Sequence, residues 1–406
     1  MSSNENLQLV MIGGNCALMS ALNFGIIAGT KGPIGASGRK IDITIIQAHD
    51  YLEWSLGSTH FLAHPETHDE FLSCDRKKYQ YEEVKRYIYS PCTNLDPEEK
   101  EITCKNGTKV KYDTVVVCTG YCLPLLSPIP GTSYQARKAE IQKWGGGIGQ
   151  NLKNAVKGKG AVVVNGSGAI GLELAGDFRI AYPDARVIVL SRTGRVGGLA
   201  LPDGEDVKVK AQLKKMRIEL IDLGGKELAN LTLESEKSEV YFGEMDTNGT
   251  TQEVKDNYVK TGRLPVLGKG NIGIDDFPAM KEIWDGNFEG FIPAFAQRPN
   301  TSFLPKDLIS EKGLLITDEF LRSKEYSNIF TVALGTSGGS GYIGPEIMEQ
   351  SKCVGRNVLQ YLEIIASAGR ETKASLKKHN IFQPHMDLGN RPMTVKIGSG
   401  KGGFLS

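Results

Sequence analysis

The tightest chemical signal in the chain is Gly166-x-Gly168-x-x-Gly171, set directly after the apolar run Ala161-Val-Val-Val-Asn165 and before Leu172-Glu-Leu-Ala. The chemistry such spacing serves is dinucleotide binding. The first glycine permits a tight turn, the second lets a diphosphate approach the backbone, and the third lets the helix lie close on the strand. The helix N-terminus then faces the phosphates. At the end of the next strand, where an acid would hold the ribose of NAD, stand Ser191 and Arg192. A hydroxyl and a guanidinium suit a 2′-phosphate better than a 2′-hydroxyl, so NADP is expected ahead of NAD.

A second group of reactive side chains is His60, His64 and His68, with Asp69 and Glu70 beside them. On one continuous helix, this spacing would stack three imidazoles on a single face, an arrangement that suits a metal. Pro65 interrupts the run, however, and breaks such a helix, so no metal site is expected. His60 and His64 remain candidates for acid–base chemistry, because imidazole titrates near neutral pH. Asp50 and Glu53 are read as a cap or a surface pair, and Tyr51 and Trp54 as core. The seven cysteines (Cys16, Cys74, Cys92, Cys104, Cys118, Cys122 and Cys353) are odd in number and form no CxxC. Neither a disulfide framework nor a zinc knuckle is indicated. Cys118 and Cys122 fall at a strand–loop junction and are not expected to form a redox dithiol. Cys16 is expected to be buried as a small apolar residue.

The elements that must position these residues alternate between strand and helix. Leu7–Ile12 reads as a buried strand entering the turn Gly13-Gly14, followed by a helix from about Ala17 and a second strand over Ile41–Ile46. Thr114–Gly120 reads as another buried strand ending in a turn, and Lys109–Asp113 alternates as an edge strand does. Ala161–Asn165, the glycine motif and Ala185–Leu190 form a second strand–helix–strand unit. Val207, Ala211, Leu213 and Met216 suggest a solvated amphipathic helix. Asn328–Leu334 reads as a late strand, followed by a helix over Pro345–Ala366. The fold class expected is α/β: two Rossmann-like dinucleotide-binding domains, the second inserted in the first, with a small C-terminal appendix. Residues 1–125 and 291–365 would form a FAD-type domain, 126–290 an NAD(P)-binding domain, and 366–406 the appendix.

Composition narrows the class of function. With 406 residues, 40% hydrophobic and 23% charged, the chain can build more than one core. Its 48 basic residues nearly balance 47 acidic ones, leaving a net charge of +1 and no basic footprint for nucleic acid. No apolar stretch is long enough to cross a membrane as a helix. The polar segment Met1–Gln8 lacks the pattern of a secretory leader, so a cytoplasmic location is expected. A small molecule is the expected partner, and a homodimer is compatible with this reading.

Gly13-Gly14, Asp50-Tyr-Leu-Glu-Trp-Ser-Leu-Gly57, Tyr112-Asp113 with Cys118-Thr-Gly120, the Gly166 motif, Arg298-Pro-Asn-Thr301 and Asn328-Ile-Phe330 occur in one order along the chain. That order resembles the two-dinucleotide-domain flavoprotein reductases, most closely the apoptosis-inducing-factor-like branch with its ferroptosis-suppressor type, which lacks a redox dithiol. The resemblance implies FAD in the discontinuous first domain and NAD(P)H in the inserted one, with hydride passing to the flavin and on to a quinone or similar acceptor. It implies cofactor contacts at Gly13, Gly14, Thr119 and Gly120. It places His60 and His64 near the flavin ring, and Arg298–Thr301 as a structural loop between the domains. Four positions depart from the family pattern. The second and third glycines of the first motif are Asn15 and Leu18, the acid that holds the adenosine ribose falls on Gln47, and the late Gly-Asp pair falls on Ala333-Leu334. The expectation is therefore an NAD(P)H-linked oxidoreductase of a small hydrophobic or quinoid molecule with a degraded FAD site, in keeping with a role in specialised metabolite biosynthesis. A flavin-free isomerase or cyclase and a non-catalytic NAD(P) sensor are the alternatives.

Overall fold

The computed structural model describes residues 6–54, 57–75, 77, 79–122, 127–155, 159–197, 205–225, 240–241, 266–267, 270–271, 284–294, 298–337 and 344–368. Most of the proposed appendix, 369–406, and the glycine-rich stretch 398–403 lie outside the described residues.

Two mixed α/β layers carry the chain. In the first sheet, β1 (Leu7–Ile12), β2 (Ile41–Gln47), β3 (Val84–Tyr89), β4 (Thr114–Val117) and the late strand Ile329–Thr331 run parallel in the spatial order late strand, β4, β1, β2, β3. β1 is buried on both faces, as strands covered by crossover helices must be. Leu7, Leu9 and Met11 pack with α1 (Cys16–Ala21) and the long helix Gly344–Ala368. Val10 and Ile12 face the other way, against Leu95, Ile102 and Val110 of a three-stranded antiparallel meander over residues 92–111. The meander's last strand, Lys109–Lys111, is an edge strand, as its alternation predicts.

The second sheet is built around β5 (Ala161–Asn165), β6 (Arg186–Ser191), β7 (Ile218–Asp222) and β8 (Gly290–Pro293), in the order β7, β6, β5, β8. Between the sheets in sequence runs α3 (Tyr134–Asn154), capped by the Ser133 hydroxyl, which accepts from the Ala136 N–H at 3.3 Å. α4 (Ala169–Ala181) packs Leu172, Leu174, Ala175 and Phe178 into the core with Val162 and Val164 of β5. Each of the Leu, Val and Phe side chains contributes about 1.5–3 kcal/mol on burial.

Three local expectations change. The boundary placed at 290/291 falls inside β8, which hydrogen-bonds to β5 and so is part of the second sheet. Ile148 of α3 packs so close that a Cβ on Gly290 would lie 2.8 Å from it. In α5 (Glu205–Lys215) the buried face is Val209 and Leu213, four residues apart, while Val207 is exposed. The late strand stops at Thr331, because Ala333 takes the left-handed conformation, φ +71°.

Candidate functional site

The two glycine turns are built on the same plan and differ in what fills them. In the second, Gly166 leaves β5 at φ +126°, where a Cβ would lie 2.7 Å from the Ala294 carbonyl. A Cβ on Gly171 would overlap the Gly166 carbonyl, so only glycine lets α4 lie this close on the turn. Gly168 is the N-cap of a thirteen-residue helix, no side chain caps it, and nothing stands within 4 Å of where its Cβ would be. That is an open helix N-terminus of the kind that takes phosphate.

The loop after β6 is folded onto this turn. The Ser191 hydroxyl donates to the Arg195 carbonyl at 2.7 Å, and the Ser167 hydroxyl lies 2.9 Å from Ser191 and 2.7 Å from the same carbonyl. The Gly197 N–H donates to the Ser167 carbonyl at 2.7 Å. Ser191 is therefore buried and spent on the loop, while Arg192 is exposed at its tip. Arg195, half-buried on the same loop, was not singled out from the sequence; its signal was a second arginine between Gly194 and Gly197.

At the first turn, Gly13 has φ +146° and its Cβ would overlap the Cys118 carbonyl, so the tight turn is kept. Asn15 is the N-cap of α1, and its side-chain oxygen accepts from the Cys16 N–H at 2.8 Å and from the Cys16 thiol at 3.3 Å. α1 is only six residues long and widens into a π-helical turn over Leu22–Ile26. Leu18 is buried in the core beside Met11 and Cys118. Gln47, also buried, donates its amide to the carbonyls of His49 at 2.7 Å and Tyr51 at 3.4 Å. Leu334 is fully buried among Val10, Ile12 and Leu315.

Thr119 and Gly120 belong to the junction between the sheets. The Thr119 hydroxyl donates to the Asn300 carbonyl at 2.7 Å, the Asn300 amide donates to the Thr119 carbonyl at 3.0 Å, and the Asn300 N–H donates to the Gly120 carbonyl at 2.9 Å. Tyr121 and Cys122 pair antiparallel with Pro299 and Arg298. The loop Arg298–Thr301 is thus a structural clasp between the two chain crossings.

The histidines lie where the first sheet's helices meet α3 and α4. α2 (Ser58–Ala63) ends at His64, and Pro65 opens a separate 3₁₀ turn, so the three imidazoles do not share one helix. The His60 and His64 rings stack with centroids 4.6 Å apart. His60 Nδ1 lies 3.5 Å from Asp177 Oδ1 of α4, and His64 Nδ1 lies 3.3 Å from Glu66. His68 is buried, with Nε2 3.2 Å from the Gln142 amide. Among the described residues no three His, Cys, Asp or Glu side chains converge to hold a metal ion. The Asp177 partner of His60 was missed in the sequence, because it sits 117 positions away on another helix.

Two neighbours of this region contradict their sequence reading. Glu53 is buried and forms a two-pronged pair with Arg137 of α3, at 2.7 and 2.9 Å. Arg137 is fully buried and also donates to Glu140 at 2.9 Å, and these carboxylates hold its guanidinium firmly protonated despite the burial, which opposes its charge. Trp54 is 41% exposed, not core, whereas Tyr51 is buried and desolvation raises its hydroxyl well above the ordinary value. None of the described cysteines is in a disulfide. Burial pushes Cys118 up to about 12 and Cys353 up to about 11, so neither is a thiolate near neutral pH.

Two sheets of mainly parallel strands, each with a glycine turn, give a Rossmann-like fold of the FAD/NAD-binding reductase kind. The model of the pyridine nucleotide-disulphide oxidoreductase family matches residues 10–265, and the chain belongs to that family. Its members are oxidoreductases that bind FAD and NAD(P)H. The chain is 25% identical over 186 residues to the NADH-rubredoxin oxidoreductase of Clostridium acetobutylicum, covering 44% of this chain and 48% of that protein. It therefore spans about half the length of that curated relative. The crystal structure of the Clostridium acetobutylicum enzyme has the same fold, with a TM-score of 0.56 at 16% identity, over 98% of this chain and 80% of that one. An engineered water-forming NADPH oxidase bound to NADPH superposes with a TM-score of 0.55 at 18% identity, over 87% and 69% of the two chains. The sulfide:quinone oxidoreductase of Aquifex aeolicus gives 0.57 at 14%, over 87% and 76%. No helix among the described residues is long and apolar enough to cross a membrane.

Proposed function

We propose that the chain is an NADPH-linked oxidoreductase of a small hydrophobic or quinoid molecule, placed in the apoptosis-inducing-factor-like branch of its family. The observation that carries this reading is the uncapped N-terminus of α4, with open space at Gly168 and the Arg192 loop folded beside it. Gly166, Gly168 and Gly171 would cradle the diphosphate, and Arg192, supported by Arg195, would take the 2′-phosphate. Bound there, NADPH supplies a hydride. The residues of the chain fix the dinucleotide's direction: the turn anchors its diphosphate, and the loop after β6 selects its adenosine end. The substitutions of the engineered NADPH oxidase, which remove an aspartate and introduce a serine and two arginines, follow the same logic of charge. The quinone in the name of the Aquifex aeolicus neighbour agrees with the acceptor class proposed.

A redox-neutral reading, isomerisation or cyclisation with His60 or His64 as acid and base, has one observation in its favour. His60 Nδ1 lies 3.5 Å from the buried carboxylate of Asp177, and a paired imidazole and carboxylate is a common acid–base arrangement. One experiment separates the readings: fluorescence titration of the full chain and of Arg192→Ala with NADPH and NADH. We expect NADPH to bind at least ten-fold tighter than NADH, and Arg192→Ala to erase that difference, a change of about 1.4 kcal/mol. Equal binding of both nucleotides by the unmodified chain overturns the NADPH assignment. Binding of neither overturns the oxidoreductase reading and leaves the redox-neutral one.

A further inference from the structure

We infer that the first glycine turn is no longer a flavin site, because the side chains at its three expected contacts are turned to the protein's own backbone or buried in its core. The fold contains its own comparison. The second turn leaves its helix N-terminus uncapped, with space at the N-cap glycine. At the first turn, the Asn15 carboxamide takes that place and accepts from the Cys16 N–H, as a phosphate oxygen would. Behind it the helical run continues through the π turn and a 3₁₀ turn over Ile27–Thr30, so the capping carboxamide, not a weaker dipole, sets this end apart from α4.

The adenosine end is closed in the same way. A carboxylate at the end of β2 would accept from ribose hydroxyls. Gln47 instead points its amide N–H groups at the His49 and Tyr51 carbonyls, which ties down the loop that follows the strand. Its side chain also lies against the turn, 3.1 Å from where a Cβ on Gly14 would be.

The third contact fails for a different reason. At the late strand, the Ala333 N–H donates to the side chain of Gln350, a fully buried residue of the long C-terminal helix, at 2.7 Å. The next side chain, Leu334, is apolar and buried in the core beneath the sheet. Leu334 has no group that could hydrogen-bond a ribityl chain or a phosphate. Together the changes turn all three contacts inward, so the first sheet is expected to fold without a nucleotide.

This inference is independent of the NADPH reading, and its test reads binding, not turnover. The full chain is purified, its visible absorption spectrum is recorded, and the small molecules released by denaturation are identified by mass spectrometry. FAD is then titrated against the same sample, with circular dichroism and a cooperative unfolding transition as evidence of fold. We expect no co-purified flavin and no saturable FAD binding below about 1 µM. Stoichiometric FAD in the purified protein, or tighter binding on addition, overturns the inference. If the folded chain binds neither FAD nor NADPH, the proposed function fails while this inference stands.

Discussion

Replacing Arg137 with Met tests how the α2–α3 corner is held. The substitution keeps an unbranched apolar stem, though a shorter one, and removes the charge. Glu53 and Glu140 would then face one another's surroundings with no cation, at 8% and 9% exposure. Removing one partner of a buried ion pair costs about 3–5 kcal/mol, because it leaves a charge without compensation. Here one cation serves two carboxylates through contacts at 2.7, 2.9 and 2.9 Å, so the loss belongs at the upper end of that range. The variant can escape this penalty only by taking up protons in the folded state. The folded variant then holds more protons than the unfolded chain, so its stability falls as pH rises and recovers as pH falls. Urea unfolding of the unmodified chain and Arg137→Met at pH 8 and pH 5 measures both parts. A midpoint shift equivalent to less than about 1 kcal/mol at pH 8, or a loss that does not shrink at pH 5, would refute the reasoning.

Two further outcomes follow from buried groups. Gln47→Glu turns an amide donor at 2.7 Å from the His49 carbonyl into an acceptor and places two oxygens in opposition. A loss of about 1–3 kcal/mol in thermal or urea stability is expected, and an unchanged midpoint would count against the loop-tying role. Burial raises the Cys118 and Cys353 thiols from 9.0 to about 12 and about 11, so their folded forms hold protons that the unfolded chain releases. Their contribution to stability is complete below about pH 9 and declines as pH rises towards the folded values, where an unfolding series at pH 8, 9 and 10 should show it. Rapid labelling of these two thiols in the native protein at pH 8 would contradict that burial.

The sequence by itself determined the parts of this protein that depend on neighbours along the chain. Gly166, Gly168 and Gly171 are legible because a turn, a helix start and a close helix–strand contact are local demands that few residues meet. The apolar runs Leu7–Ile12 and Ala161–Asn165 are legible as strands buried on both faces for the same reason. Pro65 was enough to separate the histidines into two helices. Even the departures at Asn15, Gln47 and Leu334 stood out, since each is a change of hydrogen-bonding type at a position whose role is local.

The tertiary structure alone decided what those side chains do instead. That Gln47 turns its donors to backbone carbonyls depends on a loop path that composition does not encode. That Glu53 is buried follows from Arg137, which lies 84 positions along the chain and reaches it only because α3 packs across α2. Asp177 meets His60, and Asn300 clasps Thr119, across comparable distances in sequence. The assignment of Gly290–Pro293 to the second sheet rests on pairing with β5, a partner more than 120 residues earlier. Periodicity and spacing report on one chain segment at a time. Charge pairing, burial and strand neighbours are properties of segments brought together, and only the folded chain brings them together.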